Sequence, residues 1–98
     1  MAIPKTFPVD LDRGADQDLQ RLPREVQRTI LLEIQTRLTK EPYKEIKTRI
    51  KRLSGPIPPL YRPRIGDYRA YYRILSDRVV VLGVLHKKES ERWLRRFF

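Results

Sequence analysis

Arginine side chains recur at close intervals between residues 60 and 75, and they are the residues of this sequence best suited to chemistry on an anion. A guanidinium group is permanently charged and presents a fork of N–H donors that matches the oxygens of a phosphate. Such groups can hold a phosphate and stabilise negative charge, but they do not take up a proton. The set consists of Arg62, Arg64, Arg69 and Arg73, with Tyr71 among them.

Proton transfer would need a different kind of side chain, and two neighbouring residues could supply it. Histidine titrates near neutral pH without help from its surroundings, and His86 is the single histidine of the sequence. Lys87 could become a base if neighbouring cations favoured its neutral amine. A histidine at the end of a strand can equally well hydrogen-bond a backbone carbonyl, so the sequence leaves the role of His86 open.

Two short turns predict the sheet that carries these side chains. Residues 66–67 (Gly-Asp) and 76–77 (Ser-Asp) each separate runs rich in Tyr, Ile and Val. This pattern is typical of a three-strand antiparallel meander, and the turns fix its register. The predicted opposite pairs include Arg62 with Tyr71, Arg64 with Arg69, Ala70 with Gly83, Tyr72 with Val81, and Ile74 with Val79.

The two faces of this meander differ in chemistry. Alternation places apolar side chains on one face, the predicted core, and the four arginines with Tyr71 on the other, which we call the arginine face. Arg64 opposite Arg69 is a like-charge pair that costs stability, and an anionic partner would relieve it. Arginine stems could also simply cover an exposed sheet face. Among these cations, Tyr71 could stack on a nucleic-acid base.

The charge of the chain is strongly positive and unevenly distributed. Its 98 residues carry 22 Lys and Arg against 12 Asp and Glu, for a formal net charge of +10. Residues 1–50 have 10 basic and 8 acidic side chains, whereas residues 51–98 have 12 basic and 4 acidic. The half that contains the arginines therefore holds most of the excess, and a polyanionic partner is expected.

The composition also bounds the architecture. A chain of 98 residues predicts a single domain over residues 1–98. It has no cysteine, which excludes disulfides and thiolate metal sites. We expect neither a bound metal nor a cofactor. No apolar run reaches the ~20 residues of a membrane span, and the N-terminus lacks the apolar core of a signal peptide. We therefore expect a cytoplasmic protein without membrane contact.

Two helices are expected ahead of the meander. An irregular edge strand over residues 3–9 precedes a first helix from Gly14, and Pro23 opens a second helix that runs to about Lys40. The apolar stripe predicted for the second helix comprises Val26, Ile30, Ile34 and Leu38, widened by Leu31. Such a stripe predicts a helix packed against the core.

Three further segments have patterns of their own. Residues 43–53 fit a helix with basic residues outward. Residues 78–85 are apolar on both faces, which predicts an interior strand. The side chains of this strand expected beside the arginines are Val80, Leu82 and Val84. Residues 87–98 predict a short terminal helix, in which Trp93 could stack on a base or anchor the helix to the sheet.

The order of these elements, together with three motifs, resembles the RelE/ParE superfamily of bacterial toxins. The motifs are QDLQRLPREV over residues 17–26, YRPRIGDYRAYYRI over 61–74 and VLGVLHKKES over 81–90. The resemblance implies an α+β fold with an N-terminal strand, an antiparallel helix pair, a three-strand antiparallel meander and a short C-terminal helix. It also implies a type II toxin held inactive by a cognate antitoxin in a hetero-oligomer.

The resemblance implies a target as well. RelE-like members cut messenger RNA in the ribosomal A site, and this branch is favoured here, with mRNA and the ribosome as partners. ParE-like members instead inhibit DNA gyrase without catalysis of their own. A third possibility is a relative that binds RNA or the ribosome and does not cleave.

The RelE branch implies, by position, roles for Arg62, Arg64, Arg69, Lys87 and Trp93, and the other expected site residues follow from their own chemistry. Expected catalytic residues are Arg62, Arg64, Arg69, Lys87, His86 and Trp93, and expected RNA-binding residues are Arg73, Tyr71 and Lys88. Trp93 stands near the position of a catalytic tyrosine in that branch, and its indole offers an N–H donor without a hydroxyl. Arginine also replaces a lysine expected on the first strand of the meander.

Overall fold

A computed structural model of the chain describes residues 8–38, 50–53, 55 and 59–97. The predicted edge strand over residues 3–9 is described only at its end, and Phe98 lies outside the described residues. The elements are β1 (Val9–Leu11), α1 (Arg13–Gln20), α2 (Arg24–Leu38), β2 (Ile50–Leu53), β3 (Leu60–Ile65), β4 (Tyr68–Ile74), β5 (Val79–His86), α3 (Lys87–Leu94) and a 3₁₀ turn (Arg95–Phe97).

The described strands form one sheet in the order β1-β5-β4-β3-β2. Strand β1 runs parallel to β5, and the other neighbouring pairs are antiparallel. This is the α+β arrangement expected from the sequence, with the apolar strand β5 in the interior of the sheet. No helix within the described ranges is long and apolar enough to cross a membrane.

The two predicted turns join β3 to β4 and β4 to β5, and the register that they fix is largely confirmed. Gly66 adopts a φ of 59°, the left-handed conformation that a two-residue hairpin turn requires. The observed pairs are Ile65 with Tyr68, Arg64 with Arg69, Tyr72 with Val81, and Ile74 with Val79. The like-charge arginine pair is therefore a feature of the structure.

A β-bulge changes the register in the first half of β4. Ala70 pairs with Val84, so its predicted pairing with Gly83 is wrong. Tyr72 pairs with Val81 and Tyr71 with Gly83, which leaves one extra residue in β5 at the shift. Because of this extra residue, the side chain of Val84 points into the core, where it is 2% exposed. The expectation that Val84 lies beside the arginines is therefore wrong.

Helix α1 packs against β5 and supports the bulge. The Asp12 carboxylate caps the helix by accepting the N–H of Arg13 at 2.8 Å. Farther along the helix, the Asp18 carboxylate accepts the backbone N–H of Val84 at 2.9 Å. This bond joins a helix side chain to the strand at the bulge, across 66 residues of sequence.

Helix α2 follows Pro23 and buries a narrower stripe than the sequence predicts. The N–H of Gln27 donates to the carbonyl of Pro23 at 3.0 Å, the first bond of the helical pattern. Ile30 and Ile34 are buried in the core, whereas Leu31 is 41% exposed. The expected widening of the stripe by Leu31 is therefore wrong, because the sheet covers only one side of the helix.

Strand β2 lies in a segment whose sequence pattern is ambiguous. Residues 43–53 fit a helix by their spacing, but residues 50–53 form a strand that pairs antiparallel with β3. Residues 43–49 lie outside the described residues. Pairing with β3 gives the backbone groups of residues 50–53 partners, and such a tertiary contact overrides a local helical pattern.

The core lies between the helices and one face of the sheet. The buried cluster consists of Ala15, Leu19, Ile30, Ile34, Ile65, Ala70, Tyr72, Val79, Val81 and Val84. Tyr61 and Tyr68 pack against this cluster from the same face. The arginines alternate with these residues along β3 and β4, so the core side of the sheet fixes the direction in which they point.

Candidate functional site

Three guanidinium groups converge on the arginine face. Strand β3 supplies Arg62 and Arg64, and β4 supplies Arg69, which lies directly opposite Arg64. Burial lowers the pKa of Arg69, and the neighbouring charges of Arg64 and Arg62 lower it further. The electrostatic effect shows that the three cations are near one another, as the like-charge register implies.

The turn between β3 and β4 holds one end of this cluster in place. The guanidinium of Arg69 donates through Nη1 to the carbonyl oxygens of Gly66 at 3.1 Å and Tyr68 at 3.0 Å. The side chain of Arg64, in contrast, is exposed. The cluster thus combines an anchored cation with a solvent-accessible one, an arrangement suited to an anion that arrives from solution.

Tyr71 does not offer its ring to solvent as the sequence suggested. It is 0% exposed, and its ring stacks on Trp93 with centroids 4.7 Å apart and planes 21° apart. The base-stacking role predicted for this residue is incompatible with that packing, because the indole already occupies the ring face. What Tyr71 contributes to the arginine face is its hydroxyl group.

Trp93 is anchored on the sheet by a glycine. A Cβ atom at Gly83 would lie 2.7 Å from Cζ2 of Trp93, so only glycine lets the indole sit this close to β5. The ring thus fixes α3 over the pair Tyr71 and Gly83. Of the two roles considered for Trp93, this packing corresponds to the anchor.

His86 lies on the opposite side of the sheet from the arginines. It pairs with Tyr68, whose ring packs against the core, and the two rings meet edge to face at 5.5 Å. Its Nδ1 accepts the backbone N–H of Lys88 at 3.2 Å and so caps α3. Strand alternation therefore separates His86 from the arginine face, and its backbone partner is an N–H and not the carbonyl considered from the sequence.

Lys87 lies at the β3–β4 turn with a carboxylate as its ion-pair partner. Its Nζ is 3.4 Å from Oδ1 of Asp67, and its backbone N–H donates to the carbonyl of Asp67 at 2.8 Å. Asp67 in turn partly offsets the lowering of the pKa of Arg69. Lys87 thus has a carboxylate as a neighbour, whereas a role as a base would depend on neighbouring cations.

The two remaining predicted residues lie on different elements. Arg73 belongs to β4, pairs with Val80 and is half-buried, with two-residue spacing from Tyr71 on the same face. Lys88 is exposed in the first turn of α3. Neither position tests the proposed contact with RNA. No group of acidic, histidine or cysteine side chains in the described ranges could hold a metal ion.

Sequence reasoning missed Gly83, Asp67 and Asp18 as residues that shape the site. A glycine inside an apolar strand commonly marks a bulge or a close approach, and this signal was available for Gly83. The roles of Asp67 and Asp18 depend on partners 20 and 66 residues away, and sequence spacing carries no signal for them.

Comparison with protein-family models returned a match over most of the chain. Residues 9–91 match the sequence model of a family described as the ParE toxin of the type II toxin–antitoxin system parDE. A search of curated protein sequences returned no match.

Solved toxin–antitoxin complexes contain chains of similar structure. The RelBE2 complex from Mycobacterium tuberculosis includes a chain with a TM-score of 0.68 and 28% identity, over 83% of this chain and 98% of that one. A chain of the archaeal RelE–RelB complex from Pyrococcus horikoshii has a TM-score of 0.67 and 28% identity, over 84% of this chain and 96% of that one. A chain of the RelB–RelE complex from Methanococcus jannaschii has a TM-score of 0.64 and 24% identity, over 86% of this chain and 96% of that one. This last similarity shows a shared fold.

Proposed function

The chain belongs to the ParE family of toxins of type II toxin–antitoxin systems, and we propose that it acts as a ribosome-dependent endonuclease that cuts messenger RNA. The observation that carries this proposal is the cluster of Arg62, Arg64 and Arg69 on one face of the sheet. Arg64 and Arg69 repel each other across the two strands, and a bound anion would relieve this repulsion. Likeness to chains of two RelE–RelB complexes at 28% identity supports the RelE-like branch.

The phosphodiester backbone is the anion that this face fits best. Three guanidinium groups can bind the two non-bridging oxygens of one phosphate and a neighbouring phosphate of the same strand. The net charge of +10 adds a long-range attraction for RNA and the ribosome. Messenger RNA and ribosomes as targets also imply a cytoplasmic site of action.

In the proposed reaction the 2′-oxygen of the message attacks the adjacent phosphorus, and the bond from phosphorus to the 5′-oxygen breaks. The products are a 2′,3′-cyclic phosphate and a 5′-hydroxyl end. Water takes the proton of the 2′-hydroxyl and supplies the proton that the 5′-oxygen gains. The arginines stabilise the charge that develops on the non-bridging oxygens, and a single donor of this kind typically contributes about 10²–10³-fold in rate.

A second candidate function is inhibition of DNA gyrase, as in the ParE branch, with no catalysis by the chain itself. The placement of the two expected proton carriers favours it, because His86 faces away from the arginines and Lys87 is paired with Asp67. The arginine face would then bind the acidic surface of the enzyme or its DNA. The two functions share the cluster and differ in whether a bond breaks.

The cognate antitoxin is the proposed partner in either case. The similar solved chains come from complexes of RelE with RelB. We expect an antitoxin segment with acidic or apolar residues to cover the arginine face and to form a hetero-oligomer with the toxin. Hydrogen exchange on the free and bound toxin should show added protection between Leu60 and Leu85, and unchanged protection there would exclude this surface.

Translation of a defined message by purified ribosomes tests the proposed function. Addition of the chain should create new 5′ ends within the message, and those ends should carry a hydroxyl and not a phosphate. The same preparation is tested in a DNA supercoiling assay with purified gyrase. Cleavage without an effect on supercoiling supports the RelE-like function.

The opposite pattern contradicts the proposal. Inhibited supercoiling with an intact message assigns the chain to the ParE-like branch. Stalled translation without new 5′ ends assigns it to the class that binds RNA or the ribosome and does not cleave. Arg69→Ala serves as the control in both assays, since it removes one cation of the shared cluster.

A further inference from the structure

On the arginine face, the hydroxyl oxygen of Tyr71 and Nε of Arg62 are shielded from water and have no hydrogen-bond partner within the part of the chain that the structure describes. Tyr71 is 0% exposed, so solvent cannot serve its hydroxyl in this conformation. Buried polar atoms are nearly always paired, and an exception at a functional face calls for an explanation.

The two atoms belong to facing residues. Tyr61 pairs with Tyr72 and Arg64 with Arg69, and this register places Arg62 opposite Tyr71. Facing residues on one side of an antiparallel pair have Cβ atoms about 4.5–5.5 Å apart. The unpaired donors therefore come from adjacent side chains on the same face.

The donor chemistry of the two groups specifies the kind of ligand that would bind them. Arg62 Nε can only donate a hydrogen bond, and the Tyr71 hydroxyl has a proton to donate. One acceptor atom with several lone pairs, brought between the two side chains, would satisfy both. A non-bridging phosphate oxygen is such an acceptor, and it carries the negative charge that the neighbouring cations require.

We propose that the Tyr71 hydroxyl and Arg62 Nε form a subsite for one phosphate oxygen, beside the charge cluster of Arg64 and Arg69. This inference rests on the proposed function, which it deepens by assigning a neutral donor to phosphate recognition. Tyr71 thus binds the nucleic acid through its hydroxyl group and not through its ring face.

The surroundings of Tyr71 fit this role. Trp93 stacks on the ring at 4.7 Å and fixes the direction of the phenol, so that Trp93 acts as a positioning residue. The phenol is near enough to Arg69 to oppose the lowering of its pKa. Rotation of the long Arg62 side chain about its single bonds would admit the phosphate oxygen between the two donors.

Tyr71→Phe tests the subsite because it removes only the hydroxyl and keeps the ring that stacks on Trp93. The matched control is Tyr68→Phe on the same strand, whose ring lies on the core face. Inorganic phosphate is titrated into each full-length protein at constant ionic strength. The Arg62 Nε–H resonance is followed by NMR, and a thermal melt is recorded for each variant.

The subsite predicts that loss of the Tyr71 hydroxyl weakens phosphate binding without lowering the thermal stability of the protein. Tyr71→Phe should weaken phosphate binding about tenfold, as expected for loss of one hydrogen bond to a charged group. Its Tm should stay unchanged or rise, because an unsatisfied buried hydroxyl stabilises nothing in the free protein. Tyr68→Phe should leave phosphate affinity unchanged. Arg62→Lys keeps the charge, loses Nε, and should weaken binding as Tyr71→Phe does.

Equal phosphate affinity in the wild type and Tyr71→Phe would overturn the subsite, whatever the ribosome assay shows. A lower Tm for Tyr71→Phe would also overturn it, since the hydroxyl would then have a structural partner. The outcome is separable from the proposed function. If binding depends on Tyr71 but no message is cut, the subsite stands and the endonuclease proposal fails.

Discussion

The contact between Gly83 and Trp93 gives the sharpest prediction about how the arginine face is built. A Cβ atom at Gly83 would lie 2.7, 2.8 and 2.9 Å from Cζ2, Cε2 and Nε1 of Trp93. Carbon atoms in favourable contact are about 3.5–4.0 Å apart, so the indole would have to move by about 1 Å. That movement disturbs the stack on Tyr71, and α3 with it.

The cost of Gly83→Ala can be worked out from these contacts. Overpacking of this kind costs about 1–3 kcal/mol, and loss of an aromatic stack adds about 0.5–1.5 kcal/mol. For a domain of this size, the smallest sum corresponds to a fall in Tm of about 6 °C or more. The assay is a thermal melt, together with the fluorescence of Trp93, which is the single tryptophan of the chain and should report a more polar environment.

A double-mutant cycle decides whether Trp93 causes the loss. In a Trp93→Ala background the three shortest contacts of the added methyl are gone, and Gly83 does not adopt a positive φ. Gly83→Ala should then be neutral or stabilise by about 0.4–1 kcal/mol through the unfolded chain. An equal loss of stability in both backgrounds would refute the assigned contact, as would no loss in the wild type.

Three further predictions concern the bulge, the core and the turn. Asp18→Ala should destabilise the fold by about 1–3 kcal/mol in denaturant melts by leaving the N–H of Val84 unpaired, and Asp18→Asn, which keeps an acceptor oxygen, should cost clearly less. Burial, and to a lesser extent Tyr61, raises the pKa of the Tyr72 hydroxyl. The unfolded chain therefore loses this proton at lower pH than the folded one, and the stability present below pH ~10 should fall as pH rises above that value; melts of Tyr72→Phe should show a flatter dependence. Lys87→Arg should retain message cleavage, since the Asp67 partner implies a charge role, and a complete loss would identify Lys87 as the base.

The meander was predictable because its signals are local. Turn residues at 66–67 and 76–77 fix both hairpins, and two-residue alternation then assigns each side chain to a face. These local signals suffice to place Arg64 opposite Arg69, and the structure has this pair. The bulge lay outside this logic, since one extra residue in β5 breaks the alternation without changing the composition of the strand.

The errors at the site arise from packing between elements distant in sequence. Tyr71 looked available for stacking because strand alternation says nothing about a helix that returns over the sheet with Trp93. His86 was grouped with the arginines because histidine titrates near neutral pH, but strand alternation places it on the opposite side of the sheet. Residues 50–53 form a strand because β3 offers them backbone partners, which a helical pattern cannot reveal.

The central claim is that the arginine cluster supplies catalysis and not merely binding, and single-turnover cleavage on programmed ribosomes tests it most directly. Wild type, Arg69→Lys and Arg69→Ala are compared at saturating toxin, with a thermal melt of each. Arg69→Ala should lower the cleavage rate by about 10²-fold or more, with Tm within a few degrees of wild type, and Arg69→Lys should fall between the two. Equal rates for wild type and Arg69→Ala, or no cleavage by the wild type, would contradict the account.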